Sequence, residues 1–479
     1  MVYSVNQHRS REVPVSAIHP GGHPWRLGAS ESAALLRAGR LTSVKLVESV
    51  LERIGAGNAA LNAVVAQVDA ESLLTQARAA DRRCAAGNPG GALDGIPLTV
   101  KDNLWVRGLP ATWGVEALAA FVPDHDEPVV ARVREAGAII LGKTNVPPMA
   151  LAATTGNGVY GPTRNPLDPA MTPGGSSGGA GAALASGMGA LALATDAGGS
   201  IRRPAAYTGT VGFKPSAGVV LSSSGFPRTS LDFQVVGPMA RSVEDCALMA
   251  TAIAVDASRF SGAGQAARPE SWLRARAQAR RARIVAVLPP DQGQEPVVTA
   301  ALNECVERLA RAGHRVVWQP MPYSVAQVDA FWLELIPHGV RAAIGELGLD
   351  ESALPAALRD LARRSSGPSA VDVYRTIARL LDWRQRTRAL WAEADVVLSP
   401  ASPCLAWPLD APYPATIDGL EASPRAGALY ATFANAAGAP SISVPVPWHA
   451  GIGMQLTGAP GDDAQLLAWA WECEQAMLA

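Results

Sequence analysis

Lysine is scarce in this chain of 479 residues. Of its 41 basic residues, only Lys45, Lys101, Lys143 and Lys214 are lysine; the rest are arginine. Where a chain has replaced lysine nearly everywhere, the lysines that survive mark places where arginine cannot serve. The clearest difference is that lysine can lose its proton and arginine effectively cannot. Cysteine is sparse too. Cys84, Cys246, Cys305, Cys404 and Cys473 are odd in number and widely scattered, which suits neither a disulfide framework nor a zinc ribbon. Neither sign of charge dominates: 41 Lys+Arg stand against 42 Asp+Glu, so no broad nucleic-acid or anionic-membrane footprint is expected. The best apolar run, residues 182–194, is too short and too rich in small residues to span a bilayer. Residues 1–25 contain no apolar core, so no signal peptide is expected. A soluble, cytoplasmic protein that binds neither nucleic acid nor membrane is the expectation.

What is present is 48% hydrophobic and organised as alternating helices and strands. Residues 29–85 read as helices, with Leu35, Leu36, Leu41, Val44, Val47, Val50 and Leu51 at helical spacing. Residues 95–103 (GIPLTVKDN) read as a buried strand ending in polar residues. Further helices are predicted at 129–135, 180–186 and 201–207, and strands at 138–141, 190–195 and 211–214. Residues 154–179 read as loop. Beyond them come a surface helix within 255–282, a strand at 283–288, an amphipathic helix at 297–312, a strand at 314–319, a mostly helical stretch at 325–395, and late strands at 395–400 and 440–446. The class is α/β around a mixed sheet. No repeat or clean linker appears, the weakest stretch being 258–271. One domain over 1–479 is expected: a helical segment at 26–90, a core at 91–250, a helical variable region at 255–395, and a return to the core at 396–479.

Two familiar motifs fail on context. Residues 137–144 (GAIILGKT) fit the phosphate-binding loop G-x-x-x-x-G-K-[ST], but the middle positions are a strand in their own right, and Pro147-Pro148 follow where a helix should begin. Residues 174–178 (GGSSG) fit the hydrolase elbow G-x-S-x-G, yet a Pro-broken loop precedes them where a strand is required. His314, His338 and His449 sit in no supporting pattern. A flexible Gly/Ser linker would not lead straight into an apolar helix and strand.

A third constellation has a coherent use. Residues 172–179 (TPGGSSGG) precede residues 195–206 (TDAGGSIRRPAA), which place Ser200 after two glycines, and Lys101 closes the buried strand upstream. A serine needs a base to act as a nucleophile. Without a histidine, a lysine desolvated at a strand end can accept the proton, and a second serine can relay it. Gly198-Gly199 before a helix start allows backbone N–H groups to converge on one point.

These residues resemble the amidase signature hydrolases. GIPLTVKDN, ARVREAGAIILGKTN, TPGGSSGG, TDAGGSIRRPAA, GFKPS, DVVLSPASP, FANAAGAPSISVP and GMQLTGAPGDDAQLLAWAWECE follow the family order over most of the chain. The resemblance implies a large mixed central sheet covered by helices on both faces, with no metal and no cofactor. It implies Lys101 as base, Ser176 as bridging serine after a cis peptide, and Ser200 as the acyl-accepting nucleophile. It implies an oxyanion hole from the amides of Ala197, Gly198, Gly199 and Ser200, with Ser177, Thr195, Asp196 and Arg202 keeping the loops in place. The chain departs from many relatives at Ala180 and Thr208, neither of which carries chemistry in this scheme.

The implied activity is hydrolysis of an amide carbon–nitrogen bond through an acyl-enzyme. A carbamate or ester on the same residues is an alternative. So are a glutaminase-type component serving a tRNA-charging partner and, in another class, a nucleotide-binding protein using Lys143. Arg203, three residues after Ser200, is either a contact for a substrate carboxylate, as in relatives acting on malonamate-like acids, or half of a structural ion pair. Pocket walls are expected from 105–125, 154–162, 221–233 and 320–395, with Trp105, Trp113, Tyr160, Phe226, Phe233, Phe331 and Trp332 as candidates. A homodimer is allowed by the composition.

Overall fold

The computed structural model describes residues 22–221, 225–255, 276, 281–287 and 293–479. Its centre is an 11-stranded sheet. In chain order the strands are β1 (Val64–Gln67), β2 (Pro97–Lys101), β3 (Ile139–Thr144), β4 (Leu191–Asp196), β5 (Val211–Lys214), β6 (Val235–Ala240), β7 (Arg283–Val287), β8 (Arg315–Gln319), β9 (Val396–Pro400), β10 (Ser441–Pro445) and β11 (Gly453–Gly458). They lie in the order β1-β3-β2-β4-β6-β5-β10-β11-β9-β7-β8. β3, β2 and β4 are parallel, as are β9, β7 and β8; the other neighbours are antiparallel. The sheet is mixed, as expected.

Both faces are covered. Along β3, Ile140 joins one apolar cluster while Ile139 and Leu141 join another on the opposite side, the alternation a strand imposes. The first cluster takes in the helices Ala29–Arg37, Pro128–Glu135, Val243–Ile253, Pro296–Arg311 and Asp463–Leu478. The second takes in Ser43–Leu61, Ala70–Ala85 and Gly178–Ala185. Ser43–Leu61 begins where Thr42 accepts the Lys45 amide and ends at Asn62, whose left-handed backbone stops it.

The structure corrects several boundaries. The helical reading of 29–85 misses β1, which leaves Asn62 and pairs antiparallel with β3. The strand predicted at 138–141 runs on through Gly142, Lys143 and Thr144. β6 and β11 were not foreseen: Gly237 and Pro238 break the pattern of one, and Gly453, Gln455 and Gly458 that of the other. The weak stretch at 258–271 and most of the predicted surface helix within 255–282 lie outside the described residues.

Candidate active site

β2 and β4 run parallel in adjacent positions, with Leu98 opposite Leu191 and Val100 opposite Leu193. Their carboxyl ends therefore emerge together, where open α/β sheets gather functional groups. Lys101 ends β2 and Thr195 is the penultimate residue of β4. Lys101 Nζ donates to Ser176 Oγ at 2.8 Å, to Thr195 Oγ1 at 2.9 Å and to the Thr195 carbonyl at 3.4 Å. Asn103 Nδ2 donates to the same Thr195 hydroxyl at 3.0 Å. Lys101 is fully buried. Burial lowers its pKa to about 7, against the opposing pull of the Asp196 charge. At neutral pH a large share of this amine is free to accept a proton.

Ser176 is buried in a loop of tight backbone. The Gly175–Ser176 peptide is cis, as the resemblance implied. A side chain at Gly175 would lie 2.2 Å from the Thr154 carbonyl, so glycine is required there. Thr155 clamps the loop, donating to the Gly174 carbonyl at 2.9 Å and accepting from the Gly178 amide at 3.0 Å. Ser177 joins this loop to the next: its amide donates to the Ser200 carbonyl and its hydroxyl to the Thr195 carbonyl.

Ser200 is partly exposed, just before the helix Arg202–Thr208. The turn that presents it hangs on Asp196, whose carboxylate accepts from the Gly199 amide at 2.8 Å and the Ile201 amide at 3.0 Å. Gly199 has φ +98°, a conformation that favours glycine. Its amide is thus committed to Asp196. Those of Ala197, Gly198 and Ser200 donate to no protein group among the described residues. Burial works against the Asp196 carboxylate, but the Arg202 guanidinium and the surrounding donors hold its pKa below the usual range. Arg202 pairs with Asp196 in two contacts, at 2.9 and 3.0 Å. It also donates to the Ala431 carbonyl, Gln455 Oε1 and Asn435 Oδ1.

The two ambiguous substrate candidates separate. Arg203 is buried, donates to the Gly175 carbonyl at 2.8 Å and the Gly427 carbonyl at 3.3 Å, and leaves Nε without a partner. No carboxylate lies within ion-pairing distance of it among the described residues, which gives the structural ion pair no support there. Tyr160 stands beside Thr112 and Asp102, and burial pushes its phenol up to about 12. Of the aromatic wall candidates, Trp113, Phe233 and Phe331 are core. Trp105, Tyr160, Phe226 and Trp332 keep some exposure. Lys143 lies within β3, buried, 3.4 Å from Asp102 and donating to the Leu104 and Pro110 carbonyls. It is not on a phosphate-binding loop, and the nucleotide reading is withdrawn. Ser176 has a lysine and no histidine beside it, which removes the elbow reading as well.

Sequence reasoning assigned nothing to Thr155, Asn435 or Gln455. An isolated Asn among alanines, as in FANAAGAP, is the one signal that was available.

The Amidase family model matches residues 45–467. The chain belongs to the amidase signature family. It is similar to a glutamyl-tRNA(Gln) amidotransferase component from Acidothermus cellulolyticus, 40% identical over 310 residues, or 64% of this chain and 61% of that one. It is also similar to the indoleacetamide hydrolase of Bradyrhizobium diazoefficiens, 32% identical over 93% of this chain and 86% of the relative. Among solved structures, a bacterial aryl acylamidase superposes with a TM-score of 0.84 at 26% identity, over 94% of this chain and 96% of the other. This amidase is an amide carbon–nitrogen hydrolase. Among its described residues no helix is long and apolar enough to cross a membrane.

Proposed function

We propose that this amidase cleaves the amide bond of a small molecule through a Ser200 acyl-enzyme, with Ser176 and Lys101 as a proton relay. The reading is carried by one observation: a buried lysine lies 2.8 Å from a buried serine hydroxyl and, among the described residues, touches no carboxylate. Neutral Lys101 takes the Ser176 proton as Ser176 takes that of Ser200. Ser200 Oγ attacks the carbonyl carbon, and the amides of Ala197, Gly198 and Ser200 receive the negative charge on its oxygen. The same relay returns the proton to the departing amine. A water molecule, deprotonated along the same path, then releases the acid. Ser200 and Ser176 share no hydrogen bond in the free site, and such bonds commonly tighten only around substrate.

Arg203, charged and without an acidic partner among the described residues, is proposed as a contact for substrate. Carbamates and esters present the same carbonyl and are alternative substrates. Likeness to the amidotransferase component supports a second reading, glutamine hydrolysis that depends on a partner chain; partner-independent turnover of small amides argues against it. All five cysteines are free, which supports a reducing, cytoplasmic setting.

The test is peptide mass spectrometry after treatment with a fluorophosphonate. A single adduct on Ser200, lost in Lys101→Ala, is expected. An adduct on Ser176 or Ser177 with Ser200 unmodified overturns the scheme.

A further inference from the structure

Asn103 follows Lys101 by two positions, in the turn that closes β2, where the Leu104 amide donates to the Lys101 carbonyl at 3.0 Å. That turn brings the Asn103 side chain to β4. Asn103 Nδ2 donates to Thr195 Oγ1 at 3.0 Å, and Lys101 Nζ donates to the same oxygen at 2.9 Å. Asn103 and Thr195 are both buried. Asn103 Oδ1 has no hydrogen-bond partner among the described residues. A buried polar atom left unpaired is unfavourable, and an apolar side chain of the same size would fill this space without it. The end of the amide that is used, Nδ2, is therefore the end to explain.

What the relay asks of Lys101 is direction. A neutral amine has two N–H groups and one lone pair. To take the Ser176 proton the lone pair must face Ser176 Oγ, so the two N–H groups must be taken up elsewhere. The other two oxygens that Lys101 reaches among the described residues both belong to Thr195: the hydroxyl at 2.9 Å and the carbonyl at 3.4 Å. The carbonyl is set by the backbone of β4, and it also accepts from the Ser177 hydroxyl at 3.2 Å. The hydroxyl is not set by the backbone, because a different χ1 well would carry it away from Lys101. Among the described residues, the bonds to Thr195 Oγ1 come from Lys101 and Asn103. Asn103 is thus the one group there, other than the amine itself, that keeps this oxygen in place.

We propose that Asn103 is a positioning residue for the hydrolysis: by pinning the Thr195 hydroxyl it aims the Lys101 lone pair at Ser176. The proposal rests on the Ser200 hydrolase reading and deepens it, since Asn103 touches neither Ser176 nor Ser200 and acts through Thr195.

The experiment is a double-mutant cycle on the limiting rate of fluorophosphonate labelling of Ser200 at alkaline pH. The proteins are the wild type, Asn103→Leu, Thr195→Val and the double variant. Each single variant is expected to label roughly tenfold more slowly, the upper worth of a neutral hydrogen bond. The double variant is expected to label no more slowly than Thr195→Val, because Asn103 has nothing to aim once the hydroxyl is gone. A packing role for Asn103 would give losses that multiply. Asn103→Asp keeps a hydrogen-bonding end on Thr195, as donor or as acceptor, and should label much nearer the wild-type rate than Asn103→Leu. If Asn103→Leu does not fold, Asn103→Ala takes its place in the cycle with the same expectation. A wild-type rate in the Asn103 variant, losses that multiply in the double variant, or Asn103→Asp as slow as Asn103→Leu overturns the proposal and leaves the hydrolase reading standing. If wild-type Ser200 takes no label, the hydrolase reading fails and the proposal with it.

Discussion

Three of the four lysines, Lys101, Lys143 and Lys214, are fully buried. They differ in what each amine meets. Lys143 faces Asp102 and two carbonyls, so its charge has an answer. Lys101 faces hydroxyls and a carbonyl; among the described residues Lys214 donates only to the Pro215 carbonyl, at 2.8 Å. Burial lowers the pKa of both to about 7. If Lys101 is the base, kcat/KM for a neutral amide rises as pH increases through about 7, because the protonated amine cannot accept. Lys101→Arg should abolish turnover at every pH. A pH–rate profile with no inflection between 6 and 8 argues against this assignment. Stability follows the same protons. Each amine has a lower pKa folded than unfolded, so between about 7 and 10.5 the unfolded chain binds more protons and stability rises with pH. Lys214→Met should flatten that rise by up to about 1.4 kcal/mol per pH unit, read from urea unfolding at pH 7 and 9.5. An undiminished slope would mean that Lys214 stays charged in the fold.

At the scale of elements, β3 shows why spacing alone misleads. Its Gly142-Lys143-Thr144 satisfies a phosphate-loop pattern, but the glycine is there for close packing. A side chain at Gly142 would lie 2.1 Å from the Ala66 carbonyl, at the irregular pairing of β1 with β3. Gly142→Ala should lower stability by roughly 1–3 kcal/mol through this overpacking, seen as a lower midpoint in urea; an unchanged midpoint would mean that β1 moves aside freely. The same contact explains what was legible in the sequence. Strands built on an apolar run, such as Leu191–Ala194 in β4 and Ile284–Val287 in β7, declare themselves. β1 is four residues on the heel of a long helix, and β6 carries Pro238. Lys101, Ser176 and Ser200 could be nominated from the sequence because each sits in a dense local motif. The acceptors that fix Arg202 were not, because Asn435 and Gln455 lie more than 200 positions along the chain and meet it only in the folded molecule.

At the scale of the molecule, that sheet order makes the site a property of the whole chain. β9, β10 and β11, from the last quarter of the sequence, lie between β5 and β7. Removing them would strip the core from β5 and separate β7 and β8 from the other strands. The site feels the same dependence through Arg202, which takes Asp196 from β4 and oxygens from Ala431, Asn435 and Gln455. Burying that guanidinium is tolerable only with all its acceptors, since a buried charge stripped of a partner costs about 3–5 kcal/mol. Asp196 in turn holds the Gly199 and Ile201 amides that shape the Ser200 turn. Arg202→Gln should therefore lower the urea midpoint and, under native conditions, slow fluorophosphonate labelling of Ser200 at the same time. In the wild-type protein, loss of labelling and loss of amide-exchange protection in β7 and β8 should fall at one urea concentration, because the strands that join them to β5 come from the far end of the chain. Labelling that outlasts protection in β7 and β8 would show that the Ser200 turn is held by the first half of the sheet alone, with Arg202 serving as a local cap and the C-terminal strands as a separate unit.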